Sequence, residues 1–439
     1  MKQYETYKDS GIQWWEEIPI HWDLRKAKHM FSLVTENVLD PSLPKVALEN
    51  IESWTGRHIE TDSDFIGEGV EFKKDDILFG KLRPYLAKVY KAEFAGQAVG
   101  DIYVFRGNEE QVPEYLKYLL LSYPFISVVD GSTYGAKMPR ANWDFISHLI
   151  LPCPPKTEQF TIAAYLNYKV GQIDAAIKEK EAILEDLKAY RTAIISEAVT
   201  KGLDKNVPLV DSGNSWLGKI PANWTTQRMK FLLESSNDCL KVGPFGSALS
   251  GNDFKTEGYW VYNQRCVLDN NFNTNDTFVS EDKYEELIGF AVKEGDILLT
   301  TRGTIGKIAI VPPNFMKGIL HPCLIRFRVN EALIDKEFLK YIFNDTNIIA
   351  QQVKLNSNST TIDVIYSYTL KELNIVVPSI EEQHMIVATL KEQIANLDEC
   401  ITQTTTQIAD LKSYKSSVIS EAVTGKVDLR DWKCKTTNA

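Results

Sequence analysis

Ile195-Ser196-Glu197-Ala198-Val199-Thr200 closes a long run without proline, and the same six residues close another as Ile419-Ser420-Glu421-Ala422-Val423-Thr424, 224 positions later. Upstream of the first copy, Thr157 to Thr200 contains Gly171 as its one helix-weakening residue. Ile173, Ile177, Leu184, Leu187, Ile194 and Ala198 keep to steps of three and four, with Lys180 and Arg191 in the two gaps. The second run repeats this as Leu397, Ile401, Ile408, Leu411, Val418 and Ala422, with Thr404 and Lys415 at the same polar positions. A seam with a period of 3.5 residues predicts a coiled coil, in which polar residues fix register at some cost in stability. Each run opens after a proline, Pro155 or Pro378, and Ser379 with Glu382 predicts a capping box. Residues 152–204 align with 376–428 without a gap; at 1.5 Å per residue each helix should be roughly 65 Å long.

A helix with one apolar stripe needs a partner. The economical arrangement is that the two repeats pack against each other, antiparallel, with a globular domain at either end. Pairing with a second chain is the other solution, but the internal partner is present at high effective concentration.

The openings of the two halves repeat as well. Asp9-Ser10-Gly11, Trp14, Ile18-Pro19 and Trp22 return as Asp211-Ser212-Gly213, Trp216, Ile220-Pro221 and Trp224, here 202 positions later. The growth in offset puts insertions in the middle of each half while its ends stay fixed. That pattern suits one scaffold presenting two different recognition surfaces. Two tryptophans and a proline at fixed spacing predict a packing clamp, whose first copy docks on the end of the C-terminal helix and nearly closes the chain on itself.

The chain has 439 residues, 44% of them hydrophobic, enough for two or more domains with substantial cores. Its six cysteines are scattered without a CxxC pair, which fits a reducing compartment better than a disulfide framework. The polar start, Met1 to Ser10, lacks an apolar signal region, and no apolar run approaches the ~20 residues of a membrane span, so a cytoplasmic, membrane-free protein is expected. Residues 1–150 read as one mixed domain, 151–205 as the first helix, 206–375 as a second mixed domain, and 376–439 as the second helix and tail. Strands are expected at Ile77-Leu78-Phe79, Val99 to Phe105, Ile297-Leu298-Leu299 and Ile308 to Val311. Short helices are expected at Tyr115 to Leu121 and Ile334 to Phe343, and polar surface loops at Asn270 to Thr277 and Asn356 to Thr361. The expected class is α+β: two mixed α/β domains separated by two long antiparallel coiled-coil helices, with an internal pseudo-twofold repeat.

No catalytic or cofactor motif stands out. Gly303-Thr304-Ile305-Gly306-Lys307 is too short for a phosphate-binding loop, and the six histidines show no metal-ligand spacing. Asp253-Phe254-Lys255 lacks the partner acid of a nuclease site, and Val311-Pro312-Pro313-Asn314 has Val and Asn where a methyltransferase loop needs a polar group and an aromatic ring. A basic turn after a strand does recur. Asp76-Ile77-Leu78-Phe79-Gly80-Lys81-Leu82-Arg83 and Lys88 parallel Asp296-Ile297-Leu298-Leu299-Thr300-Thr301-Arg302-Gly303, Thr304 and Lys307, with one residue of slippage. Such a turn can aim donors at phosphates or guanine edges. Tyr134, Lys137 and Arg140 lie in an acid-free run, while Pro244-Phe245-Gly246-Ser247 followed by Gln264-Arg265 offers further donors, Phe245 itself being expected in the core. The net charge of −10 is unusual for a DNA-binding chain, yet six basic residues between Lys73 and Lys91, and six between Lys293 and Arg328, predict local basic surface.

Taken together these segments resemble the specificity subunits of type I restriction-modification systems. The likeness rests on the Asp-Ser-Gly-x-x-Trp…Ile-Pro-x-x-Trp openings, the Gly-Asp-Ile-Leu strand (Gly295 to Leu298, with Asp75 replacing the glycine in the first half) and Pro244 to Ser247. Glu158-Gln159 and Glu382-Gln383 at the helix entries and the Ile-Ser-Glu-Ala-Val-Thr helix ends complete it. The resemblance implies two target-recognition domains reading the halves of a bipartite, asymmetric site in double-stranded DNA, and helices that set the spacer and dock two modification subunits. Restriction/translocase subunits would join the full complex. It also implies that S-adenosylmethionine and adenine methylation belong to the modification subunits, this chain having no cofactor and no catalysis of its own. A stand-alone sequence-specific DNA-binding regulator on the same fold is the alternative.

Overall fold

The structure is a computed structural model that describes all residues except 1, 13, 41, 62–66, 134–136, 215, 246–247, 275, 357–363 and 434–439, and the side chains of 355 and 356. The chain forms two compact units, Met1–Ile183 with Thr404–Ala439, and Leu184–Gln403. Each contains one mixed α/β domain and a portion of each long helix.

In the first unit, strands Phe31–Val34, Ile102–Gly107, Ile77–Gly80 and Val89–Lys91 form an antiparallel sheet in that spatial order. A second sheet runs Asn37–Val38, Gly69–Phe72, Gly96–Ala98, Lys45–Val46. The second unit repeats the first sheet with Leu240–Val242, Leu324–Phe327, Ile297–Thr300 and Ile308–Ile310. Its second sheet runs Phe278–Val279, Tyr259–Tyr262, Gly318–Leu320. The expected strand over Val99–Phe105 is displaced. Pairing breaks at Gly100, whose φ is +74°, and resumes at Ile102.

Asp76 and Asp296 show why an aspartate precedes each Ile-Leu strand. Asp76 is buried, accepts the Lys73 N–H at 2.8 Å, and binds Arg106 through Nε and Nη2 at 2.8 and 2.6 Å. Asp296 accepts the Lys293 N–H at 2.7 Å and binds Arg328 Nε at 2.5 Å. The residue before each aspartate turns the chain through the left-handed region, Gly295 at φ +75° and Asp75 at +73°. In the second basic window, Arg326 is buried beside Asp296 and Arg328 is bound to the same carboxylate, so both are drawn into the fold. The surface is therefore less basic than residue counts suggest.

The long helices are Lys156–Lys201 and Ile380–Val423. Their glutamines explain the entry motif. Gln159 Oε1 accepts the Val112 N–H at 2.9 Å while its Nε2 donates to Pro154 O at 3.0 Å; Gln383 Oε1 accepts the Asp335 N–H at 2.8 Å and Nε2 donates to Leu333 O and Pro378 O at 3.0 and 3.1 Å. Both amides are buried and fasten a helix to its domain. The capping box forms by one arm. Ser379 Oγ accepts the Glu382 N–H at 3.2 Å, but the Glu382 carboxylate accepts from Asn223 Nδ2 at 3.4 Å instead of reaching back.

Within the first unit the two helices run antiparallel, since partners rise along one as they fall along the other: Asp174 with Lys415 and Glu181 with Lys412. In the second unit Arg191 binds Asp398. The tryptophan clamp packs as expected. Trp22 is fully buried and donates to Glu158 Oε2 at 3.0 Å, a carboxylate that also takes Tyr4 Oη at 3.0 Å and His21 Nε2 at 2.6 Å. A Cβ on Gly425, just past the second helix, would lie 2.4 Å from Pro19 Cδ, so the first clamp does close on that helix end. The Asp428 N–H donates to Lys2 O at 2.9 Å beside it. Among the described residues no helix is long and apolar enough to cross a membrane.

Candidate nucleic-acid interface

The recurrent basic turn is the loop of a β-hairpin in both units. In the first unit it joins Ile77–Gly80 to Val89–Lys91 and is closed by Gly80 N–H to Lys88 O at 2.8 Å. In the second it joins Ile297–Thr300 to Ile308–Ile310, closed by Thr300 N–H to Lys307 O at 2.9 Å. Two further bonds recur. Lys81 and Thr301 donate their N–H groups to Asp101 O and Cys323 O, at 2.9 and 3.0 Å; Ala141 and Ile365 donate theirs to Lys81 O and Thr301 O, at 2.8 and 3.1 Å. One hydrogen-bonded frame thus holds both loops.

The side chains on that frame differ. Counted forward from the Lys81 and Thr301 bonds, Arg302 sits where the first loop has Leu82, and Arg83, at φ +52°, sits where the second has Gly303, at φ +67°. Counted back from the Lys88 and Lys307 closing bonds the two arginines stand at matching places, because the first loop is one residue longer. Both are exposed. The lysines are equivalents, but they turn inward. Lys88 Nζ donates to Leu48 O at 2.6 Å and Lys307 Nζ to Asn344 O at 2.5 Å. Burial pushes the Lys88 ammonium below its ordinary pKa, with nearby Glu49 acting against the shift.

Around the first loop the structure gathers Lys81, Arg83, Lys137 and Arg140. Arg140 bridges Leu82, and the Arg83 N–H donates to Pro139 O at 2.8 Å. Lys137 is exposed, and Tyr134 lies outside the described residues. Asp101 stands among these cations, bound to Arg140 and 3.8 Å from Lys81 Nζ. Sequence reading missed it because it lies inside an apparent strand; the turn at Gly100 was the available signal.

Around the second loop, Gln264 Nε2 donates to Thr304 O at 3.3 Å, and Gly243 N–H to Leu324 O at 3.0 Å. This brings Gln264, Arg265, Arg302, Thr304 and the Pro244-Phe245 turn to one edge. Arg265 is well exposed, its Nε 3.4 Å from Asp269. Ser247 and Gly246 lie outside the described residues. Phe245 is 57% exposed and not in the core, although the backbone two residues before it packs tightly, a Cβ on Gly243 lying 2.2 Å from His321 O. His321 supports the frame from beneath. Its Nδ1 accepts the Cys323 N–H at 3.2 Å, and Cys323 O accepts both the N–H and, at 2.8 Å, the hydroxyl of Thr301. Burial pushes His321 below its ordinary pKa. Among the described residues no three His, Cys, Asp or Glu side chains gather to hold a metal.

Residues 242–411 match the family model described as the type I restriction modification DNA specificity domain. The EcoBI specificity subunit of Escherichia coli is 24% identical over 84% of this chain and 77% of its own length. The MjaVIII specificity subunit of Methanocaldococcus jannaschii is 23% identical over 81% of this chain and 77% of its own length. A chain in a solved structure of a type I R-M system shares the fold, with a TM-score of 0.70 at 15% identity, over 93% of this chain and 99% of that one. The paired hairpin frames and helix-entry glutamines thus stand on a chain that is similar, at 23–24% identity, to specificity subunits of type I restriction-modification systems, and whose residues 242–411 match their DNA specificity domain.

Proposed function

We propose that each unit reads one half of a bipartite, asymmetric DNA site, so that the chain aims a methyltransferase and endonuclease chemistry it does not itself supply. The observation that carries this reading is one hairpin frame built twice with different side chains on it. Constant frames with divergent loops suit two different DNA words. The recognition domains are 1–150 and 206–375, and the helical regions 151–205 and 376–439 act as the spacer. Lys81, Arg83, Lys88, Tyr134, Lys137 and Arg140 serve the first half-site; Ser247, Gln264, Arg265, Arg302, Thr304 and Lys307 serve the second. The exposed arginines are the base readers, and the inward lysines contribute charge behind them.

The repeated helix surfaces dock two modification subunits, and an internal pseudo-twofold relation between the halves matches two copies of one partner. Those partners hold S-adenosylmethionine and share the gripping of the duplex, which offsets the acidity of this chain. The test is co-expression with a modification subunit and genome-wide mapping of N6-methyladenine. One bipartite motif with a fixed gap, lost when this chain is deleted, is expected. Methylation that does not depend on the chain, with tight binding of one sequence by the purified protein, would replace this reading with a stand-alone DNA-binding regulator. Insertion of a few residues near Ala182 should lengthen the gap and leave both half-site words unchanged.

A further inference from the structure

Arg140 presents a guanidinium with one edge occupied and one open. Its Nε donates to Asp101 Oδ1 at 3.1 Å and its Nη2 to Oδ2 at 3.0 Å, which fills the side-on edge. The end-on edge, Nη1 with the second Nη2 proton, has no partner among the described residues, and the side chain is 52% exposed. Its backbone is fixed by the bridge to Leu82 and the flanking bonds from Arg83 to Pro139 and from Ala141 to Lys81. Guanine offers two acceptors, O6 and N7, in the major groove, and a guanidinium fork matches both at once. We propose that Arg140 reads a guanine in the half-site of the first unit, and that Asp101 is its positioning residue, holding the fork toward the base. The inference rests on the first unit contacting DNA.

Asp101 is otherwise hard to account for. A carboxylate among cations that face a polyanion weakens general DNA affinity, and an exposed ion pair contributes little to folding stability. The couple that braces the sheet is a different one, Asp76 with Arg106, repeated as Asp296 with Arg328. Asp101 with Arg140 is not repeated. The shared frame bonds put Cys323 in the place of Asp101 and Val364 in the place of Arg140. Both members differ together, as expected of a device for one DNA word rather than of the scaffold. Lys81, 3.8 Å from Asp101 and 5.2 Å from the Tyr103 ring centre, balances the remaining carboxylate charge.

The experiment compares wild type, R140K and D101N, each in complex with the modification subunit, on a library randomised at every half-site position. Methylation of each sequence and affinity for unrelated DNA are both read, with unfolding curves as the control for folding. R140K keeps the charge but loses the fork, so it should lose on the order of 10-fold or more of the preference for G·C at one position. D101N should relax the same position while binding unrelated DNA as well as or better than wild type. An unchanged motif in R140K overturns the proposal. So does D101N tightening every sequence alike with its motif intact, since Asp101 would then be a surface charge only. Absence of any bipartite motif in the wild type would instead remove the underlying reading of the unit.

Discussion

Lys415 holds Asp174 at 2.8 Å in the first unit, and both stand 224 positions from Arg191 and Asp398, which hold each other at the same distance in the second. The duplication has kept a charged couple at a polar seam position while exchanging lysine for arginine. Each couple has also recruited one residue of its own domain, with opposite sign. Arg57 binds Asp174 at 2.5 Å, whereas Asp345 binds Arg191 at 2.5 Å. The domain is thus fastened to the acid in one unit and to the base in the other.

This asymmetry makes a stability prediction. Asp174→Asn strands Lys415, which is 8% exposed, and Arg57 together, and should cost about 2–3 kcal/mol, less than the ~3–5 of a fully buried break. Lys415→Met leaves Asp174 bound to Arg57 and should cost markedly less. In the second unit the order inverts: Arg191→Met strands two acids and should exceed Asp398→Asn. Urea unfolding of the four variants checks the pattern; equal costs within each couple would show that the domain contacts contribute nothing.

Both long helices, their proline entries and the packing role of the tryptophan clamp were legible in the sequence, because helical periodicity and large apolar residues at fixed spacing report burial directly. Lys180 and Arg191 were legible as seam positions, but not their partners, since a partner across an antiparallel pair has no sequence spacing of its own. The candidate interface was legible only in outline. The recurring strand and turn showed where the hairpins lie. Which cations face outward depends on carbonyls such as Leu48 O and Asn344 O, contributed from far along the chain. Asp101 and His321 escaped notice for the same reason: each acts through a turn that long-range pairing creates.

Asp75 departs from the glycine of the second copy yet holds the same left-handed backbone, at φ +73° against +75° for Gly295. A side chain in that region is disfavoured by about 1 kcal/mol, somewhat less for aspartate. Asp75→Gly removes one partner of Lys91, which keeps Glu114 at 3.3 Å. A gain of roughly 0.5–1 kcal/mol in unfolding free energy is expected, offset slightly by the greater freedom of the unfolded glycine. A loss would mean that the Lys91 bond outweighs the backbone strain.

His321 gives the second unit a pH dependence. Burial holds its folded pKa below the unfolded value of ~6.5, so the unfolded chain takes up the proton first. The neutral ring's stabilisation is fully present above ~6.5 and is lost as pH falls through the folded pKa. His321→Asn can retain an acceptor for the Cys323 N–H without titrating. Urea midpoints between pH 5 and 8 should therefore fall less steeply with acid in the variant. Parallel slopes would place the titration elsewhere.

Lys307 and Arg302 lie five residues apart on one loop and should behave as different kinds of residue. Lys307 Nζ is tied to Asn344 O, in the same helix whose Asn344 side chain accepts the Ile308 N–H at 2.9 Å. Lys307→Met should lower stability by about 1–2 kcal/mol, through the lost charge-assisted bond, and leave base preference unchanged. Arg302 is exposed. Arg302→Ala should leave stability within about 0.5 kcal/mol and cost ~1–3 kcal/mol of discrimination at one position if it reads a base, or weaken all sequences evenly and reduce the salt slope if it binds phosphate. Unfolding curves and methylation of a randomised second half-site, measured on both variants in complex with the modification subunit, separate these outcomes. A change of base preference in Lys307→Met with stability intact would reverse the assignment and make the lysine the reader.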